Sequence, residues 1–540
     1  MELRKISIIA LLAVAVGVMA VPARRDGFVR TAADGTEKMV WLHGNEDFHY
    51  MTDAEGNWLE EETLLPLSAE VKGDRLKAKG ERAIRRAPQQ KMVGGELNVA
   101  PRGLIILVNF QNQAFVTPYD TMNNMMNGTN FTRHYAYSYD HNGRHYEGTV
   151  NANGSARQYF IDQSFGQYQP VFDVVGPYTV SSNYEVYGRN SGGSDSNVGQ
   201  MIKEACELAD QNGADFTLYD NNNDGKVDFV YVIYAGEGEA DGGDANTIWP
   251  HNWTLNSWGK YCTVDGKQVN NYACSNEKDH FTGVYAGIGT FVHEFGHVIG
   301  LPDLYATQSS LTHKTCGMWD IMDYGCYNNE SNTPPGYSAY ERFFCGWLTP
   351  RVLRQAENTT LQPIDNQEAL LMCSGDRHNL NGFDPNPSTF YMLEARALTN
   401  WDAYLPGDGL MITKVSYNSY DWTYNQVNNS PNSQGIDILE ADGLKPSYVA
   451  GSSNGYLGKP GDLFPTGATE WTAFANHEVT EITKDANGTI HFKYRGGSTT
   501  ELTEQAVENV SAQKILKDGR VYILRGGKTY DILGHENHQL

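Results

Sequence analysis

The 540-residue sequence lacks an excess of positive charge. Lys and Arg together number 41 against 65 Asp and Glu, which gives a formal net charge of -24. A nucleic-acid-binding face needs clustered basic residues to meet phosphates, so we expect no nucleic-acid partner. The chain also exceeds the usual domain size of about 100–200 residues, and several folded units are therefore expected.

Long apolar runs are missing as well, except at the start. Arg4 and Lys5 precede an apolar run over residues 6–18, which ends in small residues at Ala20. The run is shorter than the approximately 20 residues that span a bilayer, and it has the three regions of a secretory signal peptide. The sequence predicts no transmembrane segment and a protein that is secreted or attached to the cell surface or outer membrane.

Cysteine is scarce, with seven residues and no CxxC pair. A structural zinc cluster built on cysteine pairs is therefore not expected. In an exported protein six of the seven cysteines could form disulfides, in a connectivity that the sequence leaves open.

Apolar patterning predicts an α/β architecture followed by a β-rich part. Residues 104–110 and 227–235 are apolar runs of strand length, and residues 196–212 carry apolar positions at helical spacing. Strand, helix and strand in this order favour a mixed sheet backed by helices. After about residue 350, short apolar runs broken by Gly, Asn and Pro predict a β-rich, sandwich-like domain.

One motif carries chemistry. Residues 286–299 have a helical pattern that contains His293, Glu294 and His297. Two histidines four positions apart share a helix face, where their imidazoles converge on one zinc ion. Glu294 lies beside the first ligand, in the position of the general base that activates water. The peptidase prediction requires that these three side chains converge and that water can reach them.

The residues after His297 extend this motif to HExxHxxGxxD. Gly300 favours the left-handed turn that ends a helix, and Asp303 follows three residues later as the third zinc ligand. The longer zincin motif has histidine at the position of Asp303, and the alternative is that Asp303 caps the following turn.

A turn downstream carries two further candidates. Met322 suits the methionine that forms a hydrophobic base beneath the metal, and the Tyr324 hydroxyl suits the stabilisation of an oxyanion. The alternative is that both are ordinary core residues.

Three stretches resemble the immune inhibitor A family of secreted zinc metallopeptidases: HEFGHVIGLPDLY, GMWDIMDYG and PPGYSAYERFFCGWL. Similar stretches extend the resemblance over residues 102–464. It implies a metzincin-like catalytic domain, an N-terminal prodomain, endopeptidase activity on extracellular proteins, and a zinc site of two histidines and an aspartate, carried here by His293, His297 and Asp303.

The sequence therefore predicts a zymogen of five segments. They are a signal peptide (1–20), a propeptide with a basic linker (21–95), a metzincin-like zinc peptidase domain (96–350), a β-rich domain (351–497) and a small β tail (498–540). The basic linker spans residues 72–91 and includes a dibasic step at Arg85 and Arg86; the alternative is a solvated, charged helix face. The tail resembles the C-terminal sorting modules of Bacteroidetes-type secreted proteins.

A second cation site is predicted in residues 220–228. Asp220, Asn222, Asp224, Lys226 and Asp228 hold the spacing of a calcium loop, with Lys226 offering its carbonyl oxygen. The twelfth position is Tyr231 instead of Glu, so the expectation is a calcium site outside the EF-hand class. An Asn/Asp/Gly turn without an ion is the alternative.

These predictions describe a zinc endopeptidase that hydrolyses peptide bonds of extracellular or host proteins, with glycoproteins among the candidate substrates. Two rivals stay open: a surface adhesin with little catalysis, and a peptidase whose β-rich domain binds carbohydrate. Substrate preference and oligomeric state are left open by the sequence.

Overall fold

The computed structural model describes residues 20–83, 100–141, 144–191, 193–308, 311–497, 513–517, 520–525 and 528–530. Most of the predicted signal peptide, the dibasic step at Arg85 and Arg86 and much of the C-terminal tail lie outside the described residues. No helix in the described part of the chain is long and apolar enough to cross a membrane.

The N-terminal segment forms an antiparallel sheet and a helix. Its elements are β1 (Phe28–Thr31), β2 (Glu37–Asn45), β3 (Phe48–Thr52), β4 (Trp58–Leu59) and α1 (Ala69–Ala83). Helix α1 contains the first part of the basic stretch, and its described side chains lie at the surface. The first part of the basic stretch, to Ala83, is thus helical, and its described side chains, to Lys77, fit the alternative of a solvated, charged helix face.

A mixed five-stranded sheet dominates the next part of the chain. The strands of this part are β5 (Arg102–Asn109), β6 (Thr132–His141), β7 (Arg144–Asn153), β8 (Val171–Thr179), β9 (Val230–Glu237), β10 (His251–Thr254), β11 (Cys262–Val264), β12 (Lys267–Val269) and β13 (Asn271–Lys278). The sheet has the order β10-β13-β9-β5-β8, in which only β10 runs antiparallel to its neighbour. The predicted mixed α/β class is confirmed.

Helices cover both faces of this sheet. They are α2 (Tyr119–Asn127), α3 (Ala156–Gln163), α4 (Tyr184–Gly188), α5 (Val198–Gln211), α6 (Gly289–Val298) and α7 (Ala339–Phe344). Strands β5 and β9 are buried on both sides, so alternate residues enter different cores. Ile105 and Tyr231 share a core with Phe291 of α6, whereas Ile106 and Met201 lie in the core beneath α5.

Residues 351–494 form two further sheets, one of five strands and one of three. Their elements are β14 (Arg351–Val352), β15 (Glu357–Leu361), β16 (Leu370–Cys373), β17 (Thr389–Arg396), β18 (Gly409–Ser416), α8 (Ser419–Thr423), β19 (Ile436–Ile438), β20 (Val479–Lys484) and β21 (Ile490–Tyr494). The tail contains β22 (Gln513–Lys517), β23 (Arg520–Arg525) and β24 (Lys528–Tyr530), paired antiparallel. One core packs these sheets against each other, and residues of β17 and β18 also join the core that contains α6.

All seven cysteines are buried with free thiols. The fold therefore closes without the disulfides that export would allow.

Candidate metal centre

Aromatic packing fixes helix α6 on the sheet. The Phe291 ring packs against Tyr231 with centroids 4.5 Å apart, and the Phe295 ring packs against Phe229 at 5.0 Å. These contacts occupy one face of α6 and anchor the helix on the central strand β9. His293 and His297, each two positions after one of these phenylalanines, share a different face, one turn apart.

Three ligand atoms converge at this face. The Nε2 atoms of His293 and His297 are 3.2 Å apart, and Asp303 Oδ1 lies 3.2 Å from the first and 3.3 Å from the second. Ligands about 2.0–2.1 Å from a tetrahedral zinc ion lie about 3.3–3.4 Å from one another. Within the described residues, this is the one group of three metal-ligating side chains that meets so closely.

The outer contacts orient both imidazoles. The Nδ1 atom of His293 lies 2.7 Å from the carbonyl oxygen of Ile321, and Nδ1 of His297 lies 2.8 Å from that of Leu301. A carbonyl oxygen can only accept, so each Nδ1 carries the proton and each Nε2 keeps its lone pair for a metal. Asp303 Oδ1 is buried, and no described residue donates a hydrogen bond to it, which fits a ligand atom.

Gly300 forms the turn that places Asp303 beside the two histidines. Its φ is +96°, a left-handed conformation that glycine adopts without strain. The amide of Leu301 donates to the carbonyl oxygen of Gly296, which closes the end of α6. The chain then reverses beneath the helix, as the spacing predicted.

Asn425, from the turn after α8, holds the third candidate ligand. Its side-chain amide donates to Oδ2 of Asp303, and its Oδ1 accepts from the Asp303 backbone amide at 2.8 Å. Burial alone would raise the pKa of Asp303, but the two imidazoles outweigh it and hold that pKa below its usual range. Nothing in the local sequence of Asn425 signals this role, because its partner lies 122 residues away.

We expect Asn425→Ala to weaken zinc binding by about 10–100-fold, the usual effect of losing an outer-shell partner of a ligand. The measurement is a zinc competition titration against a chromogenic chelator. Asn429→Ala is the matched control, because Asn429 bonds to Thr307 in the same turn but touches no ligand. Equal affinities for Asn425→Ala and wild type would contradict the assignment.

Glu294 is fully buried beside the three ligand groups. Burial raises its pKa well above the usual value, and the carboxylates of Asp303 and Glu46 raise it further. Oε1 accepts a hydrogen bond from the Val21 amide at 3.0 Å, while Oε2 is buried without a donor from the described part of the chain. The carboxylate is therefore held next to the ligand cluster with one oxygen unengaged.

The chain's own N-terminal strap, residues 20–26, covers this centre. Its backbone is held by side chains around the centre: the Tyr305 hydroxyl donates to the carbonyl oxygen of Ala20 at 2.5 Å, and Trp249 Nε1 donates to that of Val21 at 3.1 Å. His293, Glu294 and His297 converge, as a zinc peptidase site requires. In the full chain, however, the strap blocks the access of water to them. Residues 21–26 of this segment lie within the predicted propeptide, whereas Ala20 is the last residue of the predicted signal peptide.

The N-terminal sheet behind the strap docks through a buried ion pair. His49 Nε2 lies 3.2 Å from Glu239 Oε2, and the His49 ring stacks on Trp249. Burial lowers the pKa of His49, but Glu239 outweighs it and raises this pKa to about 9. His49 is therefore charged at neutral pH, so the pair links the sheet to the residues around the centre.

Met322 lies directly under helix α6. A Cβ atom at Gly296 would be 2.6 Å from the Met322 sulfur, so only glycine allows the helix to rest there. Tyr324 contacts a later part of the strap, where its hydroxyl accepts a hydrogen bond from the Arg25 amide at 2.9 Å. The structure thus places Tyr305, which the sequence analysis missed, nearer than Tyr324 to the peptide group opposite Glu294.

The predicted calcium loop shows no convergence of carboxylates. Asp220 pairs with Lys267 at 2.6 Å and accepts from the amides of Asp224 and Gly225. The side chain of Asn222 accepts a hydrogen bond from the Asp224 backbone amide, and that of Asp224 accepts one from the Lys226 backbone amide. The side chain of Asp228 accepts one from the Asn221 backbone amide. Calcium is therefore not supported, because backbone amides and Lys267 satisfy these oxygens as in a turn without an ion.

This centre has the ligand types and the spacing of a metallopeptidase zinc site. Residues 90–347 match the family model described as Immune inhibitor A peptidase M6, catalytic domain.

The similar proteins include Pre-pro-metalloprotease PrtV of Vibrio cholerae serotype O1, which is 30% identical over 234 residues. Immune inhibitor A of Bacillus thuringiensis subsp. alesti is 27% identical over 248 residues. The matched segments cover 37% and 39% of this chain, and 24% and 36% of these relatives. The similarity thus spans about a quarter to a third of the relatives' length.

Proposed function

We propose that this protein is a secreted zinc endopeptidase, made as a latent precursor, that hydrolyses peptide bonds of extracellular or host proteins. The observation that carries the proposal is the convergence of His293, His297 and Asp303 at zinc-ligand spacing beside the carboxylate of Glu294. The family of residues 90–347 supports the peptidase class.

Zinc, when bound to these three residues, supplies a Lewis acid and lowers the pKa of water. Glu294 is the general base: its carboxylate takes a proton from the attacking water and passes it to the leaving amine. In the full chain burial raises the pKa of this carboxylate, so exposure of the cleft returns it towards the ionised form that accepts a proton.

The strap indicates how a peptide lies in the cleft. The amide of Val21 faces Glu294, and the preceding carbonyl oxygen, that of Ala20, accepts from the Tyr305 hydroxyl. A proton donor to the leaving nitrogen and a hydrogen-bond donor to the carbonyl oxygen are the two groups that amide hydrolysis needs. We assign the second role to Tyr305; the role of Tyr324 stays a prediction.

Latency follows from the same contacts. Residues 20–23 are buried against the cleft, so a protein substrate cannot enter until they leave. One relative carries the name Pre-pro-metalloprotease, and we extend a removable pro-segment to this chain. The fold proposed for the catalytic domain is metzincin-like, supported by Met322 beneath the helix that carries the histidines.

The test is a chelation experiment on protein purified from culture medium after removal of its N-terminal segment. We expect 1,10-phenanthroline to abolish casein degradation and zinc to restore it after dialysis, while circular dichroism remains unchanged. Its isomer 1,7-phenanthroline, which does not chelate, is the control. Casein degradation that survives complete removal of zinc would contradict the proposal.

A further inference from the structure

The strap places one side chain, that of Arg24, in a buried pocket beside the catalytic cleft. Arg24 is only 6% exposed. Its guanidinium group pairs with Glu330 at 2.6 Å and with Asp279 at 3.3 Å, and it lies 3.9 Å above the centre of the Phe281 ring. A third pair, with Asp26 at 2.9 Å, lies within the strap itself.

Apart from Asp26, the groups that receive this cation belong to the catalytic domain. Asp279 is buried, and the nearby Asp241 is buried with its Oδ1 lacking a hydrogen-bond donor among the described residues. Burial and the charge of Asp279 raise the pKa of Asp241, whereas Arg24 lowers it. The neighbouring negative charges of Asp279 and Asp241 repel each other, so the pocket favours a cation after the strap has left.

Glu330 is presented by an unusual turn. Asn329, Glu330 and Ser331 have φ values of +51°, +51° and +60°, three successive left-handed residues without glycine. The side chain of Asn332 donates to the carbonyl oxygens of Asn329 and Glu330 and holds this turn. Strained backbone of this kind persists where the surroundings enforce it, often at ligand-binding positions.

The strap is held through groups that any peptide possesses. The hydroxyl of Tyr327 donates to the carbonyl oxygen of Pro22 at 2.8 Å, and the carbonyl oxygen of Ala240 accepts from the Arg24 amide at 2.8 Å. Together with the contacts of Trp249 and Tyr305, these bonds hold the backbone from Ala20 to Arg24. An extended substrate could form the same bonds.

A cavity of about 310 Å³ adjoins the pocket and leaves room for the substrate beyond this position. Arg24, Tyr324, Tyr327 and Glu330 are among the residues that line it.

We propose that Asp279, Glu330 and Phe281 form a substrate subsite for a basic side chain, with arginine preferred over lysine. Arginine fits better because its planar guanidinium can pair with two carboxylates and stack on an aromatic ring at once. In the register of the strap, where the Val21 amide faces Glu294, Arg24 marks the fourth residue after the cleaved bond. The inference rests on the proposed peptidase function.

The test compares two fluorogenic peptides that differ only in arginine or citrulline at the fourth residue after the cleaved bond. Citrulline keeps the shape of arginine and removes its charge. With active protein from culture medium, we expect kcat/KM to favour the arginine peptide by about tenfold or more. Glu330→Gln should reduce the ratio of the two kcat/KM values to near one. Asp279→Asn should also reduce this ratio.

Glu207→Gln, on the surface of α5, is the matched control and should keep the wild-type ratio. Glu330 lies at the edge of the pocket, so Glu330→Gln tests the subsite even if Asp279→Asn does not fold. A wild-type ratio near one, or a ratio unchanged in Glu330→Gln, would overturn the subsite. Failure to cleave either peptide or casein would instead count against the peptidase function.

Discussion

Replacing Glu294 with alanine is expected to lower kcat/KM for casein-derived peptides by about 10²–10⁴-fold, the usual contribution of a general base. The carboxylate has no metal-ligand contact within the cluster of His293, His297 and Asp303, so zinc should remain bound. The variant should also stay folded, because its strap loses only one hydrogen bond, from the Val21 amide. The measurement pairs initial rates with zinc content on the same preparation, freed of its N-terminal segment.

The control for this prediction is a variant that lacks a different carboxylate, far from the candidate metal centre in the sequence. Glu207→Gln changes a surface residue of α5 and should leave both rate and zinc content at wild-type values. Glu294→Ala with full zinc content and a rate within about threefold of wild type would remove Glu294 from the general-base role.

Replacing Arg24 with alanine in the full chain is expected to release the strap and raise the activity of the uncleaved protein. Arg24 is buried between Asp279 and Glu330, and removing one partner of a buried ion pair costs about 3–5 kcal/mol. Part of this cost is recovered when the strap leaves and water reaches the two carboxylates. We expect at least about a tenfold rise in peptide hydrolysis.

The measured rate of peptide hydrolysis must come from uncleaved protein. Mass spectrometry during the assay should therefore confirm that the chain stays intact. Arg102→Ala is the control, because Arg102 pairs with Asp173 at the surface, far along the sequence from the strap. If uncleaved Arg24→Ala were as inactive as uncleaved wild type, the Arg24 pairs would not maintain latency.

The difference between prediction and structure follows the range of the interactions. The helix of His293 and His297, the turn at Gly300 and the buried strands β5 and β9 depend on periodicity and on the conformational preferences of nearby residues. Such signals lie within a few positions of one another. They therefore predicted the elements, with bounds shifted by one to three residues.

The predictions that the structure does not support concern local patterns with two physical solutions. Residues 220–228 have the oxygen spacing of a calcium loop, but the same oxygens also accept from backbone amides, and here they do. The basic residues from position 72 suited a linker, yet their chain is helical to Ala83 because lysine and arginine also favour helices. Sequence alone does not rank these solutions.

The sequence by itself determined the candidate site of this protein: two imidazoles and a carboxylate at the spacing of a zinc site, with the proposed general base beside them. Only the tertiary structure decided that Asn425 holds the third ligand, that Tyr305 faces the peptide bond, and that the strap closes the cleft through Arg24. Ligand spacing is set within one helix and its following turn, where neighbours in sequence are neighbours in space. The other contacts join residues 122 to 306 positions apart, and only the packing of the whole chain brings them together.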